Sequence, residues 1–119
     1  MANILAADDS VSIRQMVSHT LKEAGYHVET ANDGADALRK AKSKTFDLII
    51  SDVNMPVMDG IEFVKQVREV QQYKFTPILM LTTEGSAEKK SAGKAVGATG
   101  WIVKPFNPDT LLKTLKRVL

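Results

Sequence analysis

Four short apolar runs, residues 4–7, 48–50, 78–81 and 101–103, recur along the 119-residue chain, and none of them has a polar face. Such runs are the signature of strands buried on both sides, which occur in parallel sheets covered by helices on both faces. A fifth run, residues 28–31, contains the polar Glu29 and reads as an edge strand. Between the runs the apolar spacing changes to steps of three and four. Ile13, Met16, Val17, Thr20, Leu21 and Ala24 define one face of a first helix. Ala35, Leu38 and Ala41 mark a second helix, Ile61, Val64 and Val67 a third, and Leu111, Leu112, Leu115, Val118 and Leu119 a last one. Asp59 stands three residues before Glu62, the capping-box spacing, and Asn107 precedes Pro108, an N-cap followed by proline at the first helical position. The stretch from Ser86 to Val96 is the poorest helix. It contains Gly93, and its apolar surface is limited to Ala87, Ala92, Ala95 and Val96.

Five strands alternating with five helices predict one α/β domain over residues 1–119, a doubly wound parallel sheet with right-handed crossovers. A closed barrel of such units needs about 250 residues. The chain has no cysteine, so neither a disulfide frame nor a zinc-thiolate centre is available. No apolar run approaches the roughly 20 residues of a membrane span, and the N-terminus lacks a secretory leader, so the cytoplasm is the expected compartment. The net charge of +2 does not favour nucleic acid, but it is unevenly distributed. Residues 1–83 carry 9 Lys/Arg and 11 Asp/Glu, whereas residues 84–119 carry 7 Lys/Arg and 3 Asp/Glu. A basic final third suits an acidic protein surface or a polyanion, or equally a set of solvated lysines on helix faces.

The polar residues that follow the strands carry the chemistry. Asp8 and Asp9 follow the first strand, Asp52 closes the third, Thr82 and Thr83 follow the fourth, and Lys104 follows the fifth. All lie at the carboxyl ends of strands, the edge at which open α/β sheets bind ligands. The common strand order 2-1-3-4-5, taken over from known doubly wound domains rather than deduced from this chain, makes strands one and three neighbours and gathers the three aspartates. Three adjacent carboxylates repel one another and require a raised pKa or a cation. Oxygen ligands without histidine or cysteine favour Mg²⁺, whose further ligand is commonly a phosphate. A lysine and a hydroxyl at the same edge can hold phosphoryl oxygens, and a carboxylate can itself be the nucleophile that forms an aspartyl phosphate. Taken singly, each of these residues is more often a turn former, a helix cap or a loop lysine. It is their joint placement that points to phosphoryl chemistry. His19 and His27 stand apart from this set and read as surface or strand-end residues.

The stretches Ala7-Asp8-Asp9-Ser10, Ser51-Asp52-Val53-Asn54-Met55-Pro56-Val57-Met58-Asp59-Gly60, Leu81-Thr82-Thr83-Glu84 and Val103-Lys104-Pro105-Phe106 resemble the receiver domain of two-component response regulators, essentially over the whole chain. Within that family the single-domain chemotaxis regulators are the most similar. The resemblance implies a flavodoxin-like fold of five parallel strands in the order 2-1-3-4-5 with five helices. It implies Asp52 as the phosphoacceptor, loaded from the phosphohistidine of a sensor histidine kinase (CheA-like). Mg²⁺ would be held by Asp9, Asp52 and the backbone carbonyl of Asn54, with Asp8 acting through water. Lys104 would pair with the carboxylate and then with the phosphoryl group. Thr82 would move towards a phosphoryl oxygen together with the aromatic on the fifth strand, here Trp101. The Lys104–Pro105 peptide would be cis, and Asn54, Thr83 and Glu84 would tune autodephosphorylation.

On this reading the protein is a phosphorylation-gated monomer, not an enzyme beyond its own phosphorylation and dephosphorylation. With no output domain expected after the last helix, it would act on a target protein through the face formed by the fourth helix, fifth strand and fifth helix. That target would be the flagellar motor switch protein if the pathway is chemotaxis, with no nucleic acid or membrane involved. The alternative role is a relay or phosphate sink that hands phosphate to a histidine phosphotransfer protein. A phosphohydrolase is disfavoured because Asn54 stands where an acid–base aspartate is needed, and a nucleotide or flavin protein because no glycine-rich loop follows the first strand. Two positions depart from the family pattern: Trp101 replaces the usual tyrosine or phenylalanine, and Thr83 the usual alanine or glycine. A β-branched residue at 83 narrows the approach of water to the phosphate. Thr83→Ala is therefore expected to lose its phosphate faster than the parent, and equal decay rates would refute this.

Overall fold

Strands and helices alternate as the spacing predicts: β1 (Asn3–Ala7), α1 (Val11–Glu23), β2 (His27–Ala31), α2 (Gly34–Ser43), β3 (Leu48–Asp52), α3 (Gly60–Arg68), β4 (Ile78–Thr82), α4 (Ala87–Val96), β5 (Gly100–Val103) and α5 (Pro108–Val118). The structure is a computed structural model that describes residues 2–82 and 87–119. The strands form one sheet in the order β2-β1-β3-β4-β5, every pair parallel. The Lys104–Pro105 peptide is cis, as the resemblance implied.

Alternation along the strands divides the core into two layers. On one face Leu5, Ala7, Ile49, Ile78 and Met80 pack against Ala37, Leu38 and Ala41 of α2 and Phe63, Val64 and Val67 of α3. On the other, Ile4, Ala6, Leu48, Ile50, Leu79, Leu81 and Ile102 pack against Val17 and Leu21 of α1 and Leu111 and Leu115 of α5. Both expected caps are formed: Asp59 Oδ1 accepts from the Glu62 N–H at 2.9 Å and Asn107 Oδ1 from the Thr110 N–H at 2.8 Å. Each such cap satisfies a helix N–H that has no partner within the helix.

One expectation needs correction. The run 101–103 is not buried on both sides, because β5 is an edge strand: Trp101 is half-buried and Val103 is 45% exposed. In α4, among the residues whose side chains are described, Gly93 is buried, Val96 is half-buried against the core, and Ala92 and Ala95 are exposed. His19 and His27 are both exposed, as expected, and His19 lies 3.8 Å from Glu23 one turn further along α1.

A 3-10 turn, Gln71–Tyr73, leaves no trace in the apolar spacing. It places Tyr73 wholly inside the core, where its hydroxyl lies 2.6 Å from the carbonyls of both Ala41 and Lys44 and accepts from the Phe46 N–H at 3.2 Å. One phenol thus ties the end of α2 and the start of β3 to the α3–β4 connection. Arg68, at the end of α3, donates to the carbonyls of Tyr73, Thr76 and Gly97 at 2.6–3.1 Å and so joins that connection to the end of α4. Tyr73→Phe leaves buried backbone groups unpaired and is expected to lower stability by about 1–3 kcal/mol in denaturant unfolding. Mg²⁺ binding should be unchanged by it, since Tyr73 is remote from the carboxyl edge of the sheet.

Candidate functional site

The register of the parallel strands assembles the site. Ala7 pairs with Ser51, Asp52 with Leu81, and Thr82 with Val103, so Asp8, Asp52, Thr82 and Lys104 reach the same sheet edge. Carboxylate oxygens of Asp8, Asp9 and Asp52 all lie within 4.8 Å of one another. Two ionised carboxylates at that separation repel by about 3–4 kcal/mol at an effective dielectric constant of about 20.

Asp8 is held on every side. Its N–H donates to the Ala31 carbonyl at 3.0 Å, and its own carbonyl accepts from Arg14 Nη1 at 2.7 Å. Its Oδ1 accepts from the Ser10 N–H at 2.9 Å, and its Oδ2 accepts from Lys104 Nζ at 2.7 Å. Asp9 is exposed at the mouth of the site. Asp52 is buried and lies 3.4 Å from Lys104 Nζ, so in this state the ammonium sits closer to Asp8 than to the central carboxylate. Burial pushes the Asp52 carboxyl above the usual range and the charge of Asp8 adds to the effect, while Lys104 and the backbone N–H of Asn54 pull in the opposite direction. Thr82 is buried beside them, and its carbonyl accepts from the Lys104 N–H at 2.7 Å, which fixes the start of the loop that bears the lysine.

The loop after Asp52 is anchored by its backbone. The Gly60 N–H donates to the Val53 carbonyl at 2.8 Å and the Gly34 N–H to the Met58 carbonyl at 3.0 Å. A Cβ at either glycine would collide with a carbonyl, that of Asp52 for Gly60 and that of Met58 for Gly34. Between these anchors the Met58 N–H reaches the Pro56 carbonyl at 2.7 Å around Val57, which adopts φ 69°. A β-branched residue in the left-handed region costs about 1–2 kcal/mol. Val57 is 84% exposed, so no burial of its side chain offsets that cost. Beside the loop opens a cleft of about 500 Å³ lined by Asp9, Asn54, Met55, Pro56 and Asp59.

The structure therefore brings Asp8, Asp9, Asp52, Thr82 and Lys104 together, with Asn54 at the adjoining loop and Trp101 two residues before Val103 on the neighbouring strand. Thr83 and Glu84 lie outside the described residues. Sequence reasoning missed Arg14 and the two glycine anchors. A glycine directly after the capping Asp59 was the available signal for one of them, whereas Arg14 looked like any solvated helix residue. The donor set is three carboxylates, two of them buried, with no nitrogen or sulfur ligand, and it fits a hard divalent cation. No helix among the described residues is long and apolar enough to cross a membrane.

Comparison with known proteins agrees with this geometry. The sequence profile of the response regulator receiver domain matches residues 4–116. The chain is 76% identical to the chemotaxis protein CheY4 of Vibrio cholerae, whose structure superposes with a TM-score of 0.98 over 100% of this chain and 99% of that one. It is 36% identical over 116 residues to chemotaxis protein CheY-3 of Vibrio cholerae, covering 97% of this chain and 89% of that protein. It is 42% identical over 116 residues to the alkaline phosphatase synthesis transcriptional regulatory protein PhoP of Bacillus subtilis, covering 98% of this chain but only 48% of that longer protein.

The raised carboxyl of Asp52 sets the sign of a pH effect. The folded chain holds this proton more tightly than the unfolded chain. The stability that results is complete below the ordinary carboxylate pKa of about 4 and is lost as pH rises through the higher folded value. Metal-free Asp52→Asn should therefore melt above the parent at neutral pH, by about 3–6 °C for each kcal/mol of repulsion relieved, with the gap closing below about pH 4. Mg²⁺ should raise the melting temperature of the parent more than that of the variant. A gap that does not change with pH in thermal unfolding would refute the electrostatic origin.

Proposed function

The chain belongs to the response regulator receiver domain family, and from that premise we propose that it is a two-component signalling switch, recognised by a target protein after Asp52 has taken a phosphoryl group from a sensor histidine kinase. The observation that carries this reading is the buried Asp52 carboxylate with Asp8 and Asp9 within 4.8 Å and Lys104 Nζ at 3.4 Å. An Asp52 oxygen attacks the phosphorus of a phosphohistidine, the P–N bond breaks, the imidazole leaves with the electron pair and takes up a proton, and an acyl phosphate remains. Asp9, Asp52 and the Asn54 carbonyl would hold Mg²⁺, with Asp8 acting through water, and the ion would supply neutralising charge for the phosphoryl oxygens. Lys104, already between Asp8 and Asp52, needs only a short movement to pair with the new anion. Thr82 supplies a hydroxyl to it, and Asn54, Thr83 and Glu84 set how readily water removes it.

Readout falls to the face of α4, β5 and α5. Lys90, Lys94, Lys113, Lys116 and Arg117 are exposed on these helices beside the exposed Val103, a surface suited to an acidic partner segment with apolar anchors. The identity to a Vibrio chemotaxis protein supports a chemotactic pathway, a CheA-like kinase and a flagellar motor switch target. The working form is then a cytoplasmic monomer with a single receiver domain over residues 1–119. A relay role shares the same chemistry and would be revealed by transfer of phosphate from Asp52 back to a partner histidine.

The test is intact-mass analysis after incubation with acetyl phosphate. A phosphoryl adduct is expected that requires Mg²⁺ and is absent from Asp52→Asn. Absence of the adduct in the parent, under conditions in which a control receiver is labelled, would overturn the proposal.

A further inference from the structure

Trp101 is the single tryptophan of the chain, and it lies opposite Met80 in the β4–β5 register. Strand alternation puts Met80 and Thr82 on one face of β4, so Trp101 occupies the same side of the sheet as Thr82, the side covered by α3 and α4. The outer edge of the indole, Cζ2 and Cη2, lies directly against the bare Cα of Gly93 in α4, where a Cβ would overlap the ring. Ile61 Cδ1 of α3 is 3.6 Å from the same point, so the indole fills a crevice between the two helices.

Gly93 does not serve a turn. It lies inside α4 and is not among the glycines with positive φ. A mid-helix glycine weakens a helix relative to alanine, and α4 carries that cost at a buried position where the indole needs the space. The C-terminal end of α4 is also fixed. The Ala98 N–H donates to the Gly93 carbonyl at 3.0 Å, and Arg68 of α3 donates twice to the Gly97 carbonyl, from Nε at 3.1 Å and from Nη2 at 2.8 Å. The notch at Gly93 is thus held at a set distance from α3.

We infer that Gly93 is the positioning residue for Trp101: its missing side chain forms a notch that holds the indole between α3 and α4, so that the indole and the seating of α4 on β5 change together. This rests on the switch reading above and specifies how the site reaches the surface in this chain. With its outer edge seated on Gly93, the ring links any change of its own position to the seating of α4.

A double-mutant cycle of the parent, Gly93→Ala, Trp101→Phe and the double variant tests it in two independent stages. In denaturant unfolding without phosphate analogue, Gly93→Ala should lower the midpoint and shift the Trp101 emission. The same substitution in the Trp101→Phe background, which lacks the outer ring, should raise the midpoint as it does in ordinary helices. A rise in both backgrounds, or a fall in both, would overturn the notch. Should Gly93→Ala fail to fold, restoration by Trp101→Phe supports it and failure to restore overturns it. In the second stage, fluoroberyllate with Mg²⁺ is titrated and followed by fluorine NMR. Gly93→Ala should change the affinity by about fivefold or more with Trp101 present and leave it unchanged with Trp101→Phe. An equal change in both backgrounds would overturn the coupling. Absence of fluoroberyllate binding to the parent would instead remove the switch reading, with the first stage still deciding the notch.

Discussion

Like charges converging on one cation govern this molecule. Asp8, Asp9 and Asp52 bring their oxygens within 4.8 Å at the carboxyl edge of the sheet, and Lys104 Nζ stands between Asp8 at 2.7 Å and Asp52 at 3.4 Å. A site of this kind opposes its own folding unless the chain around it holds it closed, because burial and the charge of Asp8 both disfavour the ionised form of Asp52. The fully buried strands β3 and β4 and the two helical layers supply that opposing free energy. The residual repulsion suits the site to a hard divalent ion.

Rigidity and freedom are divided around that centre. Asp8 uses its N–H, its carbonyl and both carboxylate oxygens, whereas Asp9 is exposed. The first acts as a fixed wall and the second is placed to meet an incoming ligand. The loop from Val53 to Gly60 is anchored through Gly34 and Gly60 and carries its strain at Val57. Towards the other end of the molecule, Tyr73 and Arg68 bind the α3–β4 connection to α2 and α4. Between these fixed ends lie Thr82, Trp101 and Gly93, on the side of the sheet that faces α4.

Most of the site is legible in the amino-acid sequence, and for an identifiable reason. Asp8, Asp52, Thr82 and Lys104 each end or follow an apolar run, and parallel strands align their carboxyl ends, so position relative to a run puts them at one sheet edge, while the strand order taken over from known doubly wound domains makes them neighbours. The residues that escape such reading depend on contacts between elements distant in sequence. Arg14 caps a carbonyl rather than a charge, Arg68 serves four backbone carbonyls, and Tyr73 acts through its hydroxyl. None of these leaves a periodic trace. In α4 the apolar spacing gives no sign that Gly93 faces inward, because that placement depends on the fit to a large indole on another element.

Local pattern along the chain suffices for the alternating α/β architecture, for the caps at Asp59 and Asn107 and for the residues brought to the carboxyl edge, because these follow from short-range periodicity and from the geometry of parallel strands. Three further features arise only in the assembled fold: Lys104 leans towards Asp8 more than Asp52, β5 leaves Val103 exposed, and Gly93 receives the ring of Trp101. Those outcomes depend on distances between side chains carried by separate elements, and packing sets such distances only after the whole sheet has formed.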